Sequence, residues 1–211
     1  MAHRYWPLWD LQLTVGDLTL RPMTEADQQD LSDLLPDDLE QDPAATSYSV
    51  DDRRTGRGIV QHQAYWRAFG TWRPEEWRLG FAVRRGEVLV GMQELEGNDF
   101  PALRTVDTSS WLVTSVRGHG VGKQMRGAVL ALAFGPLGAT AAITSAWRDN
   151  HASLGVSRSL GYRPNGVQLH RRDDDVDVMV HLRMTRDDWF VATRPEVRIE
   201  GFEPCRVLFG V

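Results

Sequence analysis

The chain has 211 residues, 42% of them hydrophobic and 25% charged, which suits one domain with a substantial core. Its formal net charge of −5 argues against a nucleic-acid-binding protein, which usually carries a basic excess, so we expect no nucleic-acid partner. No stretch approaches the roughly 18 uninterrupted apolar residues of a membrane-spanning helix, which excludes that class of membrane protein.

The first predicted elements are a strand at Leu18–Pro22 and the helix that follows it. Thr24 and Asp27 have the spacing of a capping box, leucines recur at helical spacing, and Pro36 ends the pattern. An irregular acidic segment comes next, and a second helix is predicted at Arg57–Phe69.

The rest of the chain alternates strand and helix patterns. The predicted elements are strands at 78–84 and 87–95, a strand ending near Val113, a helix from about Gly122 to Gly135, a strand at 139–147, a helix from Asn150 to Gly161, and strands at 167–172 and 176–184. This order predicts an α/β protein of the α+β type, with a mixed sheet and helices on both faces.

We expect a single domain at 1–184, with its core at 17–184. A C-terminal extension at 185–211 should begin with a helical turn and end in the irregular segment 200–211.

A glycine-rich segment, "SVRGHGVGKQMR" at 115–126, lies between a predicted strand and a predicted helix. It is not a P-loop, because the first glycine position is Arg117 and the hydroxyl position is Gln124. It is not a dinucleotide fingerprint either, because the third glycine would fall on Lys123. What remains is the pattern Arg117-x-x-Gly120-x-Gly122. Glycines allow close backbone approach, and a helix N-terminus presents unsatisfied N–H groups and partial positive charge, so the segment predicts a phosphate site.

This pattern resembles the signature of the GNAT superfamily of acyl-CoA-dependent N-acyltransferases. "LTLRPMTEAD" and "DNHASLGVSRSLGY" are similar to the family's opening strand and helix and to its later Asn-rich helix. "VDTSSWLV" and "HLRMTRDDW" look most like the branch that includes ribosomal-protein N-terminal acetyltransferases. The resemblance covers about residues 17–184 and implies an acyl-CoA N-acyltransferase fold with a mostly antiparallel central sheet.

The resemblance also implies acetyl-CoA as co-substrate and a set of residues that bind it. Backbone amides of the glycine segment would hold the pyrophosphate, a strand edge would pair with the pantetheine arm, and the start of the later helix would contact the cofactor. An N-cap role for Asn150 is equally consistent with the sequence. The expected cofactor residues are Trp111, Leu112, Val113, Arg117, Gly118, His119, Gly120, Val121, Gly122, Lys123, Asn150 and Ser153.

Attack of an amine on a thioester requires a neutral amine and a proton for the leaving thiolate. The candidate bases are Asp107, on the strand leading to the cofactor edge, and Glu94 or Glu96 on the neighbouring strand. The family's frequent acid is a tyrosine four residues before a Gly-aromatic pair, a position held here by Ser157. Serine is a weaker acid, so either water protonates the thiolate or Ser157 only hydrogen-bonds the sulfur.

The acceptor is expected to enter between the first helical connection and the last hairpin. Both are acidic, at Asp37–Asp52 and Asp173–Asp175, which would attract a cationic small-molecule or peptide amine unless these are simply solvated loops. Trp66, Trp72 and Trp77 either wall the acceptor pocket or pack in the core.

Two other functions stay open: an acyl-CoA-binding module without activity, and the same fold with a longer acyl-CoA or an aminoacyl-tRNA as donor. The six histidines and Cys205 lack zinc-site spacing, so we expect no metal, and Cys205 is read as a small buried residue rather than a nucleophile. With one cysteine and no apolar run typical of a signal peptide near the start, we expect a cytoplasmic protein. The apolar end "CRVLFGV" is consistent with a homodimer.

Overall fold

The computed structural model describes residues 3–39, 48, 50–172 and 175–211. The strands are β1 (Gln12–Val15), β2 (Leu18–Pro22), β3 (Glu76–Arg85), β4 (Val88–Asn98), β5 (Thr105–Leu112), β6 (Ala141–Trp147), β7 (Arg163–Arg172), β8 (Asp175–Thr185) and β9 (Arg198–Glu200). They form one sheet in the order β7-β8-β6-β5-β4-β3-β2-β1-β9.

Helices cover both faces of this sheet. They are α1 (Glu25–Asp33), α2 (Arg53–Gly70), α3 (Phe100–Leu103), α4 (Val121–Phe134), α5 (His151–Ser159), α6 (Arg186–Val191) and α7 (Arg206–Phe209). The larger apolar core lies on the face covered by α4 and α5, and the smaller core lies on the opposite face, beneath α1 and α2. The expected mixed sheet with helices on both faces is therefore confirmed.

One strand pair determines where a ligand can enter. Strands β5 and β6 are parallel neighbours, whereas the other adjacent pairs in the described sheet are antiparallel. Their pairing covers only Thr105–Asp107 against Ala141–Ile143, although β5 continues to Leu112 and β6 to Trp147. The two strands therefore separate after Asp107 and leave a gap in the sheet.

Local sequence signals account for the helix starts. Thr24 Oγ1 accepts a hydrogen bond from the Asp27 amide at 3.2 Å, and Asp27 accepts one from the Thr24 amide at 2.9 Å, which confirms the capping box. The second helix begins at Arg53, four residues before the predicted Arg57, because Asp52 caps the amides of the first turn.

The prediction was wrong at both ends of the chain. Strand β1 was not predicted, and the tail, predicted to end irregularly, contains β9 and α7, and β9 pairs with β1. These short segments have too few residues to show a period, and they become strands through pairing within the sheet, β1 with both β2 and β9, and β9 with β1. The tail belongs to the core, since Phe202, Cys205 and Phe209 are buried.

Strand β7 begins at Arg163, four residues before the predicted 167. Pro164 and Gly166 read as turn residues in the sequence. In the structure, a register shift between Pro164 and Val167 accommodates them within the strand.

Candidate active site

The gap between the two separating strands, hereafter the β5–β6 opening, is bordered by residues 108–112 of β5 and 144–147 of β6. At its closed end, Thr144 Oγ1 donates a hydrogen bond to the Thr108 carbonyl at 2.9 Å. Beyond that point no strand pairing joins β5 to β6. The opening leads toward the glycine-rich segment at the start of α4.

The glycine loop, residues 117–123, presents a run of unused backbone donors. Among the described residues, the amides of 118–122 have no hydrogen-bond partner, whereas the Lys123 amide already bonds the Gly120 carbonyl at 3.1 Å. Gly118 and Gly120 have φ of +79° and +80°, a conformation that other residues adopt only with strain. A Cβ built on either would meet no atom within 4 Å, so the loop faces open space. This cluster of N–H groups at a helix N-terminus is suited to an anion.

Arg117, an expected cofactor residue, is committed to contacts within the protein. Its guanidinium forms a bidentate pair with Asp38 at 2.5 and 3.0 Å, and its Nε donates to the Leu112 carbonyl at 3.0 Å. The Asp38 carboxylate has a lowered pKa, mainly through this hydrogen bond. Arg117 therefore fixes the glycine loop to β5 and to the connection that follows α1.

The predicted strand edge at 111–113 is only partly available. Trp111 points into the smaller core, and the Val113 amide donates to the Val90 carbonyl at 3.0 Å, away from β6. The stretch of β5 that faces the opening lies earlier, at residues 108–112.

The start of α5 confirms the capping interpretation of Asn150. Its side chain accepts a hydrogen bond from the Ser153 amide at 3.0 Å, and Asn150 is exposed. Ser157, one turn further on, is only 1% exposed. Its hydroxyl donates to the Ser153 carbonyl at 3.0 Å and accepts from Arg126 at 2.6 Å. The single hydroxyl proton of Ser157 is therefore already used, so the hydroxyl is poorly placed to protonate a leaving thiolate.

A second cavity, hereafter the acceptor cleft, lies on the opposite face of the sheet, between α2 and strands β3–β5, with a volume of about 730 Å³. Apolar and aromatic side chains line part of it, and charged groups line its floor. The residues that the argument uses are Arg57, Tyr65, Arg78, Glu94, Glu96, Ser109 and Trp111.

The floor of the acceptor cleft carries a carboxylate cluster. Glu94 accepts a hydrogen bond from Ser109 Oγ at 2.9 Å, and Glu96 pairs with Arg78 at 2.7 Å. Asp107 lies directly opposite Glu96 in the β4–β5 register. It is also the residue after which β5 and β6 separate. All three predicted base candidates, Glu94, Glu96 and Asp107, are thus brought together on the same pair of strands.

Burial changes the proton affinity of this cluster. It raises the pKa of Asp107 to about 6, because the charged form loses hydration; the Thr108 amide, which donates to this carboxylate at 2.6 Å, opposes the shift. Burial, together with the neighbouring Glu94 carboxylate, raises the pKa of Glu96 to about 8. Near neutral pH, Glu96 is therefore mostly protonated and Asp107 mostly ionised.

This shift predicts a pH-dependent stability. Since the pKa of Glu96 is higher in the folded protein, its contribution to folding is greatest at low pH and is lost as the pH rises through about 8. We expect Glu96→Gln to raise the free energy of unfolding by on the order of 2 kcal/mol at about pH 9, with little effect at about pH 4. Urea unfolding at both pH values measures this difference. Glu87→Gln, in an exposed turn, is the matched control, and an equal effect of Glu96→Gln at both pH values would contradict the assignment.

The acidic loops expected at the acceptor entrance are only partly described. Glu40, Asp42, Asp173 and Asp174 lie outside the described residues, and no described residue of the last hairpin lines the acceptor cleft. The cleft itself is of mixed charge, since its lining residues include Arg57, Arg67 and Arg78 as well as Glu76, Glu94 and Glu96. The described lining of the cleft is therefore of mixed charge, and an acidic entrance formed by the two loops stays a prediction.

Two of the three tryptophans pack in the core, and the third takes neither of the roles considered. Trp77 is 3% exposed and Trp72 stacks on it at 6.1 Å, so both belong to the core, although Trp77 also reaches the end of the cleft. Trp66 is 53% exposed and does not line the cleft.

Several site residues had no signal in the sequence. Tyr65 lies on a helix predicted only from its apolar spacing, and Arg57 was taken as a helix end. In the structure, Arg57 is buried and bonds the carbonyls of Pro36 and Leu39. Arg126, at the end of the glycine segment, reads as a surface residue of a helix, yet it is 4% exposed. The burial and contacts of these residues depend on packing between distant parts of the chain, which the spacing of residues in the sequence does not indicate.

Three features together define a class of acyl-CoA-dependent transferase. They are a sheet with two parallel strands that separate, a helix start with unused backbone amides, and a carboxylate at the point of separation. The chain matches the family model described as "Acetyltransferase (GNAT) domain" over residues 17–163. The protein belongs to this family and is an acyl-CoA-dependent N-acetyltransferase.

Solved structures with the same fold agree with the family. Mycobacterium smegmatis RimJ in complex with CoA-disulfide is 17% identical, with a TM-score of 0.67 over 90% of this chain and 98% of that one. RimL, a ribosomal L7/L12 alpha-N-protein acetyltransferase in complex with coenzyme A, is 17% identical, with a TM-score of 0.65 over 84% and 99%. A spermidine N-acetyltransferase SpeG chimera from Vibrio cholerae and hSSAT is 12% identical, with a TM-score of 0.63 over 83% and 99%. The fold expected from the sequence resemblance is confirmed.

Two further observations concern the described residues only. No group of three or more His, Cys, Asp or Glu side chains among them is arranged to hold a metal ion. None of their helices has the length and apolar character needed to cross a membrane.

Proposed function

We propose that the protein transfers the acetyl group of acetyl-CoA directly to the primary amine of a small molecule or of a protein N-terminus. The observation that carries this proposal is the β5–β6 opening, which runs from the unused amides of residues 118–122 to the carboxylate of Asp107. One end of the opening suits a diphosphate, and the other is next to a group able to accept a proton.

The residues present fit the acyl donor. Amides of 118–122 would hold the diphosphate of coenzyme A, and Lys123 and His119 lie beside them in the loop. Ser153 and the side-chain nitrogen of Asn150 lie at the start of α5, which packs against α4. The thioester supplies an activated acetyl group, and the protein residues position that group and move the proton.

The acceptor cleft would bring the amine to the carboxylates from the opposite face of the sheet. An amine with a pKa near 10 is almost fully protonated at neutral pH and must lose a proton before it attacks. Asp107, with a pKa of about 6, is ionised at that pH and is a stronger base than an ordinary carboxylate. Glu94 lies beside it and would hold the ammonium form on arrival, while Tyr65 and Trp111 would pack against apolar parts of the acceptor.

A module that binds acyl-CoA without transferring the acyl group is the second candidate. The observation that favours it is the buried Ser157 at the position expected for a tyrosine acid. Such a module would bind coenzyme A through the same glycine loop and release no thiol.

An acceptor screen separates the two candidates. The protein is incubated with acetyl-CoA and a panel of polyamines, small primary amines and peptides with free N-termini, and the released thiol is measured. Acceptor-dependent thiol release together with an acetylated product is the expected result. Tight binding of acetyl-CoA by calorimetry, without release for any acceptor, would favour the binding module instead.

A further inference from the structure

Arg126 is a buried cation that the site described above does not use. It lies on α4, faces the sheet and is only 4% exposed. Burying a guanidinium is costly unless a carboxylate or a full set of hydrogen bonds compensates the charge. A residue of this kind in the centre of a domain calls for an explanation.

The compensation of this charge is incomplete. One guanidinium nitrogen donates to Ser157 Oγ at 2.6 Å and the other to Ser110 Oγ at 3.2 Å. Nε is buried and has no partner, and no carboxylate of the described residues lies within 4 Å. Two neutral hydroxyl groups therefore hold a full positive charge, and its Nε–H has no partner.

The guanidinium of Arg126 lies close to the β5–β6 opening. Ser110 lies on β5 beyond the point where the strands separate, and Ser157 lies on α5. Arg126 is four residues after Gly122, or about 6 Å along the axis of α4 from the glycine loop. The guanidinium thus lies beside the opening, between the glycine loop and the closed end.

The titratable groups near the guanidinium do not neutralise it. Tyr162 is buried, and its pKa is raised to about 12, so it stays neutral. Asp107 attracts the guanidinium but lies beyond ion-pair distance. Burial lowers the pKa of Arg126, yet an arginine does not lose its proton in a protein, so the cation persists.

We propose that Arg126 is the catalytic cation that stabilises the coenzyme A thiolate as it leaves. The proposal rests on the proposed function. In the reaction, the amine nitrogen forms a bond to the thioester carbonyl carbon, the C–S bond breaks, and its electron pair stays on sulfur. The ammonium proton that the acceptor loses first goes to Asp107, and the proton lost after attack goes to solvent. The guanidinium holds the sulfur anion until water protonates it to the thiol.

This role explains why serine is tolerated at position 157. A thiolate stabilised by a fixed cation needs no acid of matched pKa, and the Ser157 hydroxyl instead orients the guanidinium. Ser157 is then a positioning residue, together with Ser110.

The test measures the ionisation of bound coenzyme A rather than turnover. Ultraviolet absorbance of the thiolate gives the thiol pKa in the protein–CoA complex as the pH is varied. We expect this pKa in the wild type to be at least about one pH unit below that of free CoA, since a cation within hydrogen-bond reach favours the anion. Arg126→Met should lose this decrease and Arg126→Lys should retain part of it. Arg104→Met, which removes a half-buried guanidinium that bonds the Leu137 carbonyl beyond the far end of α4, should keep the wild-type thiol pKa.

A second measurement covers the case in which Arg126→Met does not fold. In the wild type, the affinity for CoA relative to S-methyl-CoA, whose sulfur cannot ionise, should rise by about threefold or more between pH 6 and pH 9, because a lowered thiol pKa favours binding of the anion as the pH rises. A constant ratio, or an unchanged thiol pKa in Arg126→Met, would overturn the role of Arg126 while leaving the proposed function intact. Failure of the wild type to bind CoA at all would overturn both.

Discussion

Replacing Gly120 with leucine is expected to lower the affinity for coenzyme A by about 100-fold while the protein stays folded. Gly120 has φ of +80° at the first turn of α4, and its neighbours present unused amides to open space. A side chain there strains the backbone by about 1–2 kcal/mol and projects from the loop. Loss of two hydrogen bonds to a charged phosphate, each worth about 1.5–3 kcal/mol, accounts for an effect of this size.

Gly138→Leu is the matched control for this variant. Gly138 has φ of +69°, lies near the opposite end of α4, and also has no atom within 4 Å of a built Cβ. Both variants should therefore lose similar stability, measured by urea unfolding, and only Gly120→Leu should lose CoA affinity, measured by calorimetry. Equal CoA affinity in the two variants would reject the glycine loop as the diphosphate site.

The second large effect is expected for Asp107→Asn. Above pH 7, where Asp107 is ionised, the variant should show kcat/KM lower by about 10²–10⁴-fold, because the group that accepts the ammonium proton is gone. Below pH 6 the wild type is itself increasingly protonated at this position, so the difference between the two enzymes should narrow by about tenfold per pH unit. The inflection near pH 6 should therefore be present in the wild type and missing in the variant.

The pH–rate profile also distinguishes between the carboxylates. It is measured with the best acceptor from the screen, and the exposed Asp187→Asn serves as the control for a lost surface charge. If the inflection near pH 6 persists in Asp107→Asn, Asp107 is not the base. An inflection near pH 8 that disappears in Glu96→Gln would assign the role to Glu96.

Agreement between sequence and structure is best where the signal is local. The capping box at Thr24 and Asp27 depends on groups three residues apart, and the same two hydrogen bonds are found in the structure. The glycine loop is similar, because the left-handed conformation of Gly118 and Gly120 and the helix that follows are properties of consecutive residues.

Agreement is poorest where a partner decides the role. Arg117 was expected among the cofactor residues, and its pairing with Asp38, 79 residues away in sequence, had no signal in the sequence. Ser157 was interpreted only as the residue at the position of the family's tyrosine acid. In the structure its hydroxyl accepts a hydrogen bond from Arg126, which lies on another helix. The strand β9 forms because β1, more than 180 residues earlier in the sequence, provides its backbone partners.

By itself, the sequence determined the order of most elements and the glycine-rich helix start at 117–123, and through both it indicated the family of the protein. These properties depend on backbone conformation and periodicity within a few consecutive residues. Only the tertiary structure decided that Asp107 lies where β5 leaves β6, that Glu94 and Glu96 share its side of the sheet, and that Arg126 is buried beside the opening. Burial and charge pairing depend on groups brought together from distant parts of the chain, so the pKa of a carboxylate and the availability of a guanidinium are properties of the folded protein alone.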